Sequence, residues 1–269
     1  MQRLRLCYFG EGGSVHIHRW TAWFAARGHE VDLLSLRQAT IAGVRVHVLP
    51  FGNRRGVRHF PAKVRHVRAL VHGLGPDIVH GHQLLGYGLF AAASGFQPLV
   101  LSAWGSDVLV QAEASWFSRR VLGWMLPRAE AVISVAAHVD ARARRYGAAA
   151  PRTHIIPMGV DLKRWPLRTY RKGERDCLVI STRSLEPIYN VETFLRAIPS
   201  VATRARAIRY LVVGDGSERG LLEALAGSLG IAALVEFSGH RPPEELFAAL
   251  QRSKLYVSTS LSEIGRAHV

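Results

Sequence analysis

The chain has 269 residues, of which 48% are hydrophobic, and it carries a formal net charge of +15 at pH 7. The length predicts about two domains, and this hydrophobic fraction supplies two buried cores, which excludes an intrinsically disordered chain. Only four of its 35 basic residues are lysines, so the charge is carried by arginine.

The densest basic cluster runs from Arg54 to Arg68. Three interpretations remain open: a solvated helix face, an anionic membrane surface and a nucleic-acid surface. Because the cluster lacks base-stacking aromatics beyond Phe60 and any nucleic-acid motif, we expect no nucleic-acid partner. Its members are Arg54, Arg55, Arg58, Lys63, Arg65 and Arg68.

Two cysteines and two apolar stretches bear on the compartment. Cys7 and Cys177 each lie in an apolar run, far apart in sequence, so we expect reduced core cysteines in a cytoplasmic protein. The apolar N-terminal run is too short for a signal peptide. The stretch Leu84–Trp104 approaches the length of a membrane span, but glycines and a proline interrupt it. It therefore predicts a buried helix followed by a central parallel strand.

Strand-like runs alternate with amphipathic segments over residues 1–157, as in a doubly wound α/β domain with a parallel sheet. The predicted strands are Leu4–Phe9, Val31–Leu36, Val44–Leu49, Ile78–His80, Leu99–Ser102, Ala131–Ser134 and His154–Ile156.

A polar, basic segment broken by Gly and Pro, residues 158–175, predicts an interdomain connection. A second alternating series over residues 176–263 predicts another Rossmann-like domain, which stops without its closing helices. Its predicted strands are Cys177–Ser181, Tyr210–Val213, Val235–Ser238 and Leu255–Ser258, and its predicted helices are Val191–Val201, Glu218–Leu229 and Glu244–Gln251.

Ligands of open α/β sheets bind beyond the carboxyl ends of the strands, so the residues that follow each strand are the candidates. Gly12 and Gly13 follow the first strand and permit either a phosphate contact or a plain tight turn. His82 follows a strand and suits a hydroxyl or phosphate contact, or is a core histidine. Asp107 follows the next strand and is a cleft carboxylate, with a helix N-cap by Ser106 or Asp107 as the alternative.

The second half repeats the pattern. Arg183 directly follows a strand, where its forked donors suit a diphosphate, with a surface arginine as the alternative. Gly214 and Gly216 lie between a strand and a helix, and Gly239 ends the following strand. Together with the first half, these residues predict a nucleotide site between two Rossmann-like domains.

At this point the sequence resembles glycosyltransferase family 4, whose members have the GT-B architecture and usually retain anomeric configuration. The resemblance covers nearly the whole chain in order. The segments that carry it are EGGSVHIHRW, ARGHEVDLLS, PDIVHGHQLLGYG, SAWGSD, IIPMGVDLKRW, TRSLEPIYNVETFLRAI, YLVVGDGSERGLLEALAGSLGI, VEFSGH and LYVSTSLSE.

The resemblance implies hexosyl transfer from a nucleotide diphosphate sugar, of UDP or GDP type, to an acceptor hydroxyl, with no cofactor and no bound metal. Arg183 resembles the family's diphosphate-binding arginine. Its usual lysine partner is absent, since Tyr189 stands at the matching place. The resemblance assigns Gly12 and Gly13 to the phosphate loop, His82 to the cleft and Gly239 to the base. We expect the acceptor to bind near His16, His82 and Asp107, with His82 and Asp107 as the catalytic residues.

Glu263 resembles the first of two glutamates that bind the hydroxyls of the donor, and the second would fall at position 271, past the 269 residues. Residues 264–269, IGRAHV, depart from the family pattern and resemble a non-native tail. We therefore expect a C-terminally truncated second domain and a chain that does not itself transfer sugar.

Three functions remain open at the level of sequence. The first is a glycosyltransferase fragment of cell-envelope or exopolysaccharide synthesis, cytoplasmic or peripheral on the inner membrane face, with a glycan or lipid-linked acceptor. The second is a sugar-nucleotide epimerase of the same shape, which would need cleft carboxylates that the sequence does not show. The third is a nucleotide-binding module without turnover.

Overall fold

The structure, a computed structural model, describes residues 2–51, 59–159, 177–205 and 207–261. The chain divides into two compact units, the first comprising Met1–Gly159 and the second Val160–Glu263. Most of the predicted connection, the predicted tail and Glu263 lie outside the described residues, as do Arg54, Arg55 and Arg58 of the basic cluster.

The first unit is built on a parallel seven-stranded sheet in the order β3-β2-β1-β4-β5-β6-β7. Strand order reverses between β1 and β4, and this switch point is where open α/β sheets bind ligands. The strands are β1 Arg5–Phe9, β2 Glu30–Ser35, β3 Val44–Val48, β4 Ile78–His82, β5 Leu99–Ala103, β6 Ala131–Ser134 and β7 Thr153–Ile155.

Helices cover both faces of this sheet. Two strand exits, after β4 and after β5, begin with short π-helical turns, Leu84–Gly88 and Asp107–Gln111. One core cluster contains Phe9 and Leu101 and packs against several helices on one face of the sheet. A second cluster contains Tyr8 and Leu33 and packs against the first helix. The helices are α1 Val15–Ala25, α2 Phe60–Leu74, α3 Leu89–Ala93, α4 Ala112–Ala114, α5 Trp116–Met125 and α6 Ala137–Arg145.

The second unit has a parallel four-stranded sheet, in the order β10-β9-β8-β11, within the described residues. Its switch point lies between β8 and β11. Leu185, Leu195 and Ile198 form its core with the inward sides of the strands. The elements are β8 Leu178–Ser181, α7 Val191–Ala202, β9 Arg209–Val213, α8 Arg219–Ser228, β10 Val235–Gly239, α9 Pro243–Arg252 and β11 Leu255–Tyr256.

These observations confirm the predicted α/β class with two doubly wound parallel sheets. The stretch Leu84–Trp104 forms a π-helical turn, α3 and the interior strand β5, as predicted. Among the described residues, no helix is long and apolar enough to cross a membrane.

The prediction that both cysteines are core residues is wrong for Cys177. Cys7 is buried in β1, and burial raises the pKa of its thiol to about 12. Cys177 is exposed because β8 begins one residue later, at Leu178, and the Cys177 side chain stands outside the packed ladder.

Candidate functional site

The loop after β1 separates the roles of the two predicted phosphate-loop glycines. The Gly12 N–H donates to Ser35 Oγ at 2.8 Å. A Cβ at Gly12 would lie 2.8 Å from the Arg37 carbonyl oxygen, whereas a Cβ at Gly13 would meet nothing within 4 Å. Gly12 is therefore required by packing on the exit of β2, and Gly13 has open space for a ligand.

At the switch point of the first sheet, the predicted residues His16 and His82 both contact Trp104, which sequence reasoning missed. The ring of Trp104, which follows β5, lies 5.6 Å from that of His16 on α1 and 5.7 Å from that of His82 at the end of β4. All are centroid distances. The structure therefore brings His16 and His82 together through Trp104.

His82 does not stand at an open edge as predicted. Strand β4 continues through His82, which is 2% exposed and stacks on His80 at 4.1 Å between ring centroids. His80 shares a hydrogen bond of 2.7 Å with Ser102 Oγ. Neither ring nitrogen of His82 has a hydrogen-bond partner among the described residues. His82 is thus a buried and unsatisfied imidazole, which is unusual for a residue of purely structural role.

Burial shifts the titration of this histidine pair. It lowers the pKa of His80 from 6.5 to about 3. Burial, and then the proximity of His80 and His16, lowers the pKa of His82 well below its ordinary value. Both imidazoles are therefore neutral at physiological pH, which keeps their nitrogens available for hydrogen bonding rather than for charge pairing.

We expect His82→Phe to reduce the acid sensitivity of the first unit. A depressed histidine pKa means that the folded state binds fewer protons than the unfolded state below pH 6.5. The stability is therefore fully present above that pH and is lost as the pH falls toward the folded-state pKa. For one histidine this loss grows by at most about 1.4 kcal/mol for each pH unit.

Urea unfolding at pH 8 and pH 5 measures this loss, because the difference between the two pH values cancels any packing cost of the new ring. The matched control is His138→Asn, at an exposed position on α6. An acid-induced loss of equal size in the wild-type protein and in His82→Phe would contradict the expectation.

Asp107 is 3% exposed and is not an open cleft carboxylate. Its oxygens accept from the backbone N–H groups of Leu84 at 2.9 Å, Gly105 at 2.9 Å, Val108 at 3.1 Å and Trp104 at 3.3 Å. Burial raises the pKa of Asp107, and these four donors oppose that shift. Because it joins the exits of β4 and β5, Asp107 holds Trp104 in place rather than offering a free oxygen to a substrate.

In the second unit, Arg183 occupies the switch point of the sheet. It follows β8, and its Nε donates to Ser258 Oγ at 3.2 Å, just past β11. Its guanidinium carbon lies 6.0 Å from the ring centroid of Tyr189, within cation–π range. Its position after a strand predicts an open side chain, but Arg183 is only 5% exposed and is therefore buried.

Of the three glycines predicted for the donor site, Gly214 approaches the backbone of Arg183, Gly216 approaches that of Leu185, and Gly239 pairs with Gly214. A Cβ at Gly214 would lie 2.2 Å from the Arg183 carbonyl oxygen, and one at Gly216 would lie 2.4 Å from that of Leu185. The Gly214 N–H donates to the Gly239 carbonyl at 2.9 Å. The glycines therefore allow the exits of β8, β9 and β10 to meet, so a single compact edge presents Arg183.

Glu186 fastens this edge. Its carboxylate accepts from the Ser217 N–H at 3.0 Å and from Ser217 Oγ at 2.6 Å, and these bonds lower the pKa of Glu186. The segment Pro187–Tyr189 that follows is tied to the exit of β11, since Thr259 Oγ1 donates to the Asn190 carbonyl at 2.7 Å. Glu186 and Thr259 were missed by sequence reasoning, because a carboxylate or hydroxyl in a loop carries no signal of its partner.

Comparison with solved structures shows that the two sheets have the GT-B fold. The structure of Anabaena Alr3699/HepE in complex with UDP and glucose matches with a TM-score of 0.72 at 18% identity, covering 97% of this chain and 75% of that one. At this identity the likeness shows the fold.

The family follows from the sequence. A family model described as "Glycosyl transferase 4-like" matches residues 5–136, and one described as "Glycosyl transferases group 1" matches residues 168–265. The chain belongs to this family of glycosyltransferases, as the resemblance predicted.

Curated relatives agree. The chain is 37% identical over 144 residues to the D-inositol 3-phosphate glycosyltransferase of Rhodococcus opacus. This match covers 46% of this chain and 31% of the relative. It is 28% identical over 184 residues to the GDP-mannose-dependent alpha-(1-6)-phosphatidylinositol monomannoside mannosyltransferase of Mycobacterium tuberculosis, covering 62% of this chain and 47% of that one. The match to the first three curated relatives spans 30% to 47% of their length.

Proposed function

We propose that this chain is the donor-binding and acceptor-side portion of a glycosyltransferase that moves a sugar from a nucleotide diphosphate sugar to an acceptor hydroxyl. The observation that carries the proposal is the buried Arg183 at the switch point of the second sheet, on a loop that Gly214 and Gly216 allow to pack closely against the exit of β9. A guanidinium at such a position binds a diphosphate with forked, permanently charged donors.

The donor is of UDP or GDP type. The Anabaena structure holds UDP and glucose, and the mycobacterial relative is GDP-mannose-dependent by name. Arg183 would stabilise the negative charge that develops on the departing diphosphate, so no metal ion is needed for that role. In a retaining transfer, the same diphosphate oxygen accepts the proton of the acceptor hydroxyl, so no separate carboxylate base is required.

The first unit supplies the acceptor side. Gly13 leaves open space, and the half-buried His16 and Trp104 line the edge beside it. His82 lies behind Trp104 with two unused nitrogens, and Asp107 fixes the loop that carries Trp104. We assign His16 to hydroxyl recognition, and the buried His82 and Asp107 to positioning Trp104. Glu263 keeps its proposed role at the donor hydroxyls.

The acceptor is a glycan or a lipid-linked sugar, and the enzyme works in the cytoplasm or on the inner face of the membrane, in envelope or exopolysaccharide synthesis. The support for this setting is the basic surface of α2 together with the phosphatidylinositol-linked acceptor named for the mycobacterial relative. No nucleic acid takes part.

Titration of UDP-glucose, GDP-mannose and ADP-glucose against the protein tests the proposal. We expect one of the three to bind at least about tenfold more tightly than the others, with an affinity in the range of about 1 μM to 1 mM that is typical of enzyme substrates. Chromatography of the nucleotide after incubation then tests for an epimerase, because only an epimerase would alter the sugar and leave it on the nucleotide. An epimerised sugar still attached to its nucleotide would identify an epimerase, and equal binding of all three donors would overturn the assignment.

A further inference from the structure

An apolar groove opens on the first unit, between α2, α3 and α5. It has a volume of about 560 Å³, and its apolar lining consists of Phe60, Leu89, Phe117, Val121 and Trp124. Two cations, Lys63 and Arg120, complete the wall. None of these residues belongs to the switch point of the sheet, so the groove lies apart from the candidate functional site.

Large aromatic side chains surround the groove and stand in water. On α5, Trp116 is 66% exposed, Phe117 is 56% exposed and Trp124 is 39% exposed. The guanidinium carbon of Arg128 lies 4.9 Å from the ring centroid of Trp124, and the same guanidinium donates to the Trp124 carbonyl. Adjacent exposed aromatics over an apolar groove mark an interaction surface rather than scattered surface residues.

Two of the helices that line the groove, α2 and α5, carry only basic charged residues, and the acidic Glu113 lies on the neighbouring α4. Helix α2 contributes Lys63 and Arg65, helix α5 contributes Arg119 and Arg120, and neither helix contains an acidic residue. Arg119 lies 4.0 Å from Glu113, which also pairs with Arg142. A helix pair with aromatic groups on one side and cations beside them has the composition of an interfacial, membrane-lying surface.

We propose that this α2–α5 face binds the surface of an anionic lipid bilayer, with the aromatic side chains entering the headgroup region and the cations contacting lipid phosphates. Charge decides between the possible occupants. A second copy of the chain also carries a net charge of +15, so like-charged faces would repel, whereas anionic lipids complement them. The assignment gives a place on the molecule to the membrane contact in the proposed function, and it rests on that function.

Cosedimentation of the full chain with phosphatidylcholine vesicles, with and without phosphatidylglycerol, tests the surface. We expect binding only when phosphatidylglycerol is present, and loss of that binding at high salt. The double variants Trp116→Ala/Phe117→Ala and Lys63→Glu/Arg120→Glu should each partition at least about tenfold more weakly.

Two control variants match these changes in type. Trp23→Ala removes an aromatic side chain that is 49% exposed on α1. Arg204→Glu/Arg209→Glu reverses the charge of two exposed arginines in the second unit. We expect both controls to bind vesicles within about twofold of the wild-type protein, and thermal melting verifies that every variant is folded.

Equal losses in test and control variants, or equal binding to neutral vesicles, would overturn the surface. So would a dimer in light scattering that Trp116→Ala/Phe117→Ala dissolves while vesicle binding is unchanged, since the occupant would then be a second copy. Nucleotide titration of the same proteins keeps the hypotheses apart. Vesicle binding without nucleotide binding would contradict the donor assignment alone, and the reverse would contradict the bilayer surface alone.

Discussion

Replacing Arg183 with alanine should weaken the binding of the preferred nucleoside diphosphate at least about 100-fold. Two charge-assisted hydrogen bonds to a partly shielded diphosphate are lost, each worth about 1.5 to 3 kcal/mol. Isothermal titration with UDP and GDP measures the change. The diphosphate affinity of Arg183→Lys should lie between those of the wild-type protein and Arg183→Ala, because an ammonium group keeps the charge and loses the forked pair of donors.

The nucleoside monophosphate supplies the internal control for this experiment. If Arg183 holds the second phosphate, the ratio of diphosphate to monophosphate affinity falls in Arg183→Ala, whereas a merely structural loss weakens both equally. Arg196→Ala removes an exposed arginine of α7 that pairs with Glu192 at 2.7 Å, and it should leave both affinities unchanged. An unaltered affinity ratio in Arg183→Ala would remove Arg183 from the donor site.

Gly214→Ala should destabilise the second unit by more than about 3 kcal/mol, since it combines backbone strain with a steric clash in a packed edge. The backbone φ of Gly214 is 145°, and the added Cβ would lie 2.2 Å from the Arg183 carbonyl oxygen. The loop after β8 must therefore move away, and Arg183 moves with it. Urea unfolding monitored by circular dichroism measures the loss.

The matched control for this substitution is Gly227→Ala on α8, where an added Cβ would meet nothing within 4 Å. In a helix the change should stabilise the protein by about 0.5 to 1 kcal/mol. If Gly214→Ala were as stable as the wild-type protein, the close approach of the two loops would not exist in solution.

The alternating pattern of the sequence predicted the fold well, because buried parallel strands are short apolar runs separated by helices of regular period. The ends of the strands were harder to predict from the sequence. Strand β4 extends to His82 because the Gly81–His82 pair continues the ladder beside Leu101 and Ser102, although it lacks the apolar signature of a strand. The prediction for Cys177 was wrong in the opposite sense, because this residue belongs to an apolar run but lies just before the strand begins.

The candidate site was predicted in its residue types more than in its geometry. Glycines at strand exits indicated a close backbone approach, and the structure shows that at Gly214 and Gly216 the approaching atoms belong to the chain itself. Burial of Arg183 depends on Tyr189 and Ser258, the latter 75 positions away, so no local pattern could reveal it. Trp104 was not predicted as a site residue, because it ends the apolar stretch Leu84–Trp104, whose pattern indicates buried structure.

Asp107 has a consequence for the energetics of recognition. One carboxylate joins the turn after β4 to the turn after β5 through four backbone donors, so contacts within the chain itself order both turns. The conformational entropy of that edge is lost during folding and not when a substrate arrives. An acceptor that binds at the proposed site would therefore meet a preorganised rim around Trp104, and more of its contact energy would be expressed as affinity.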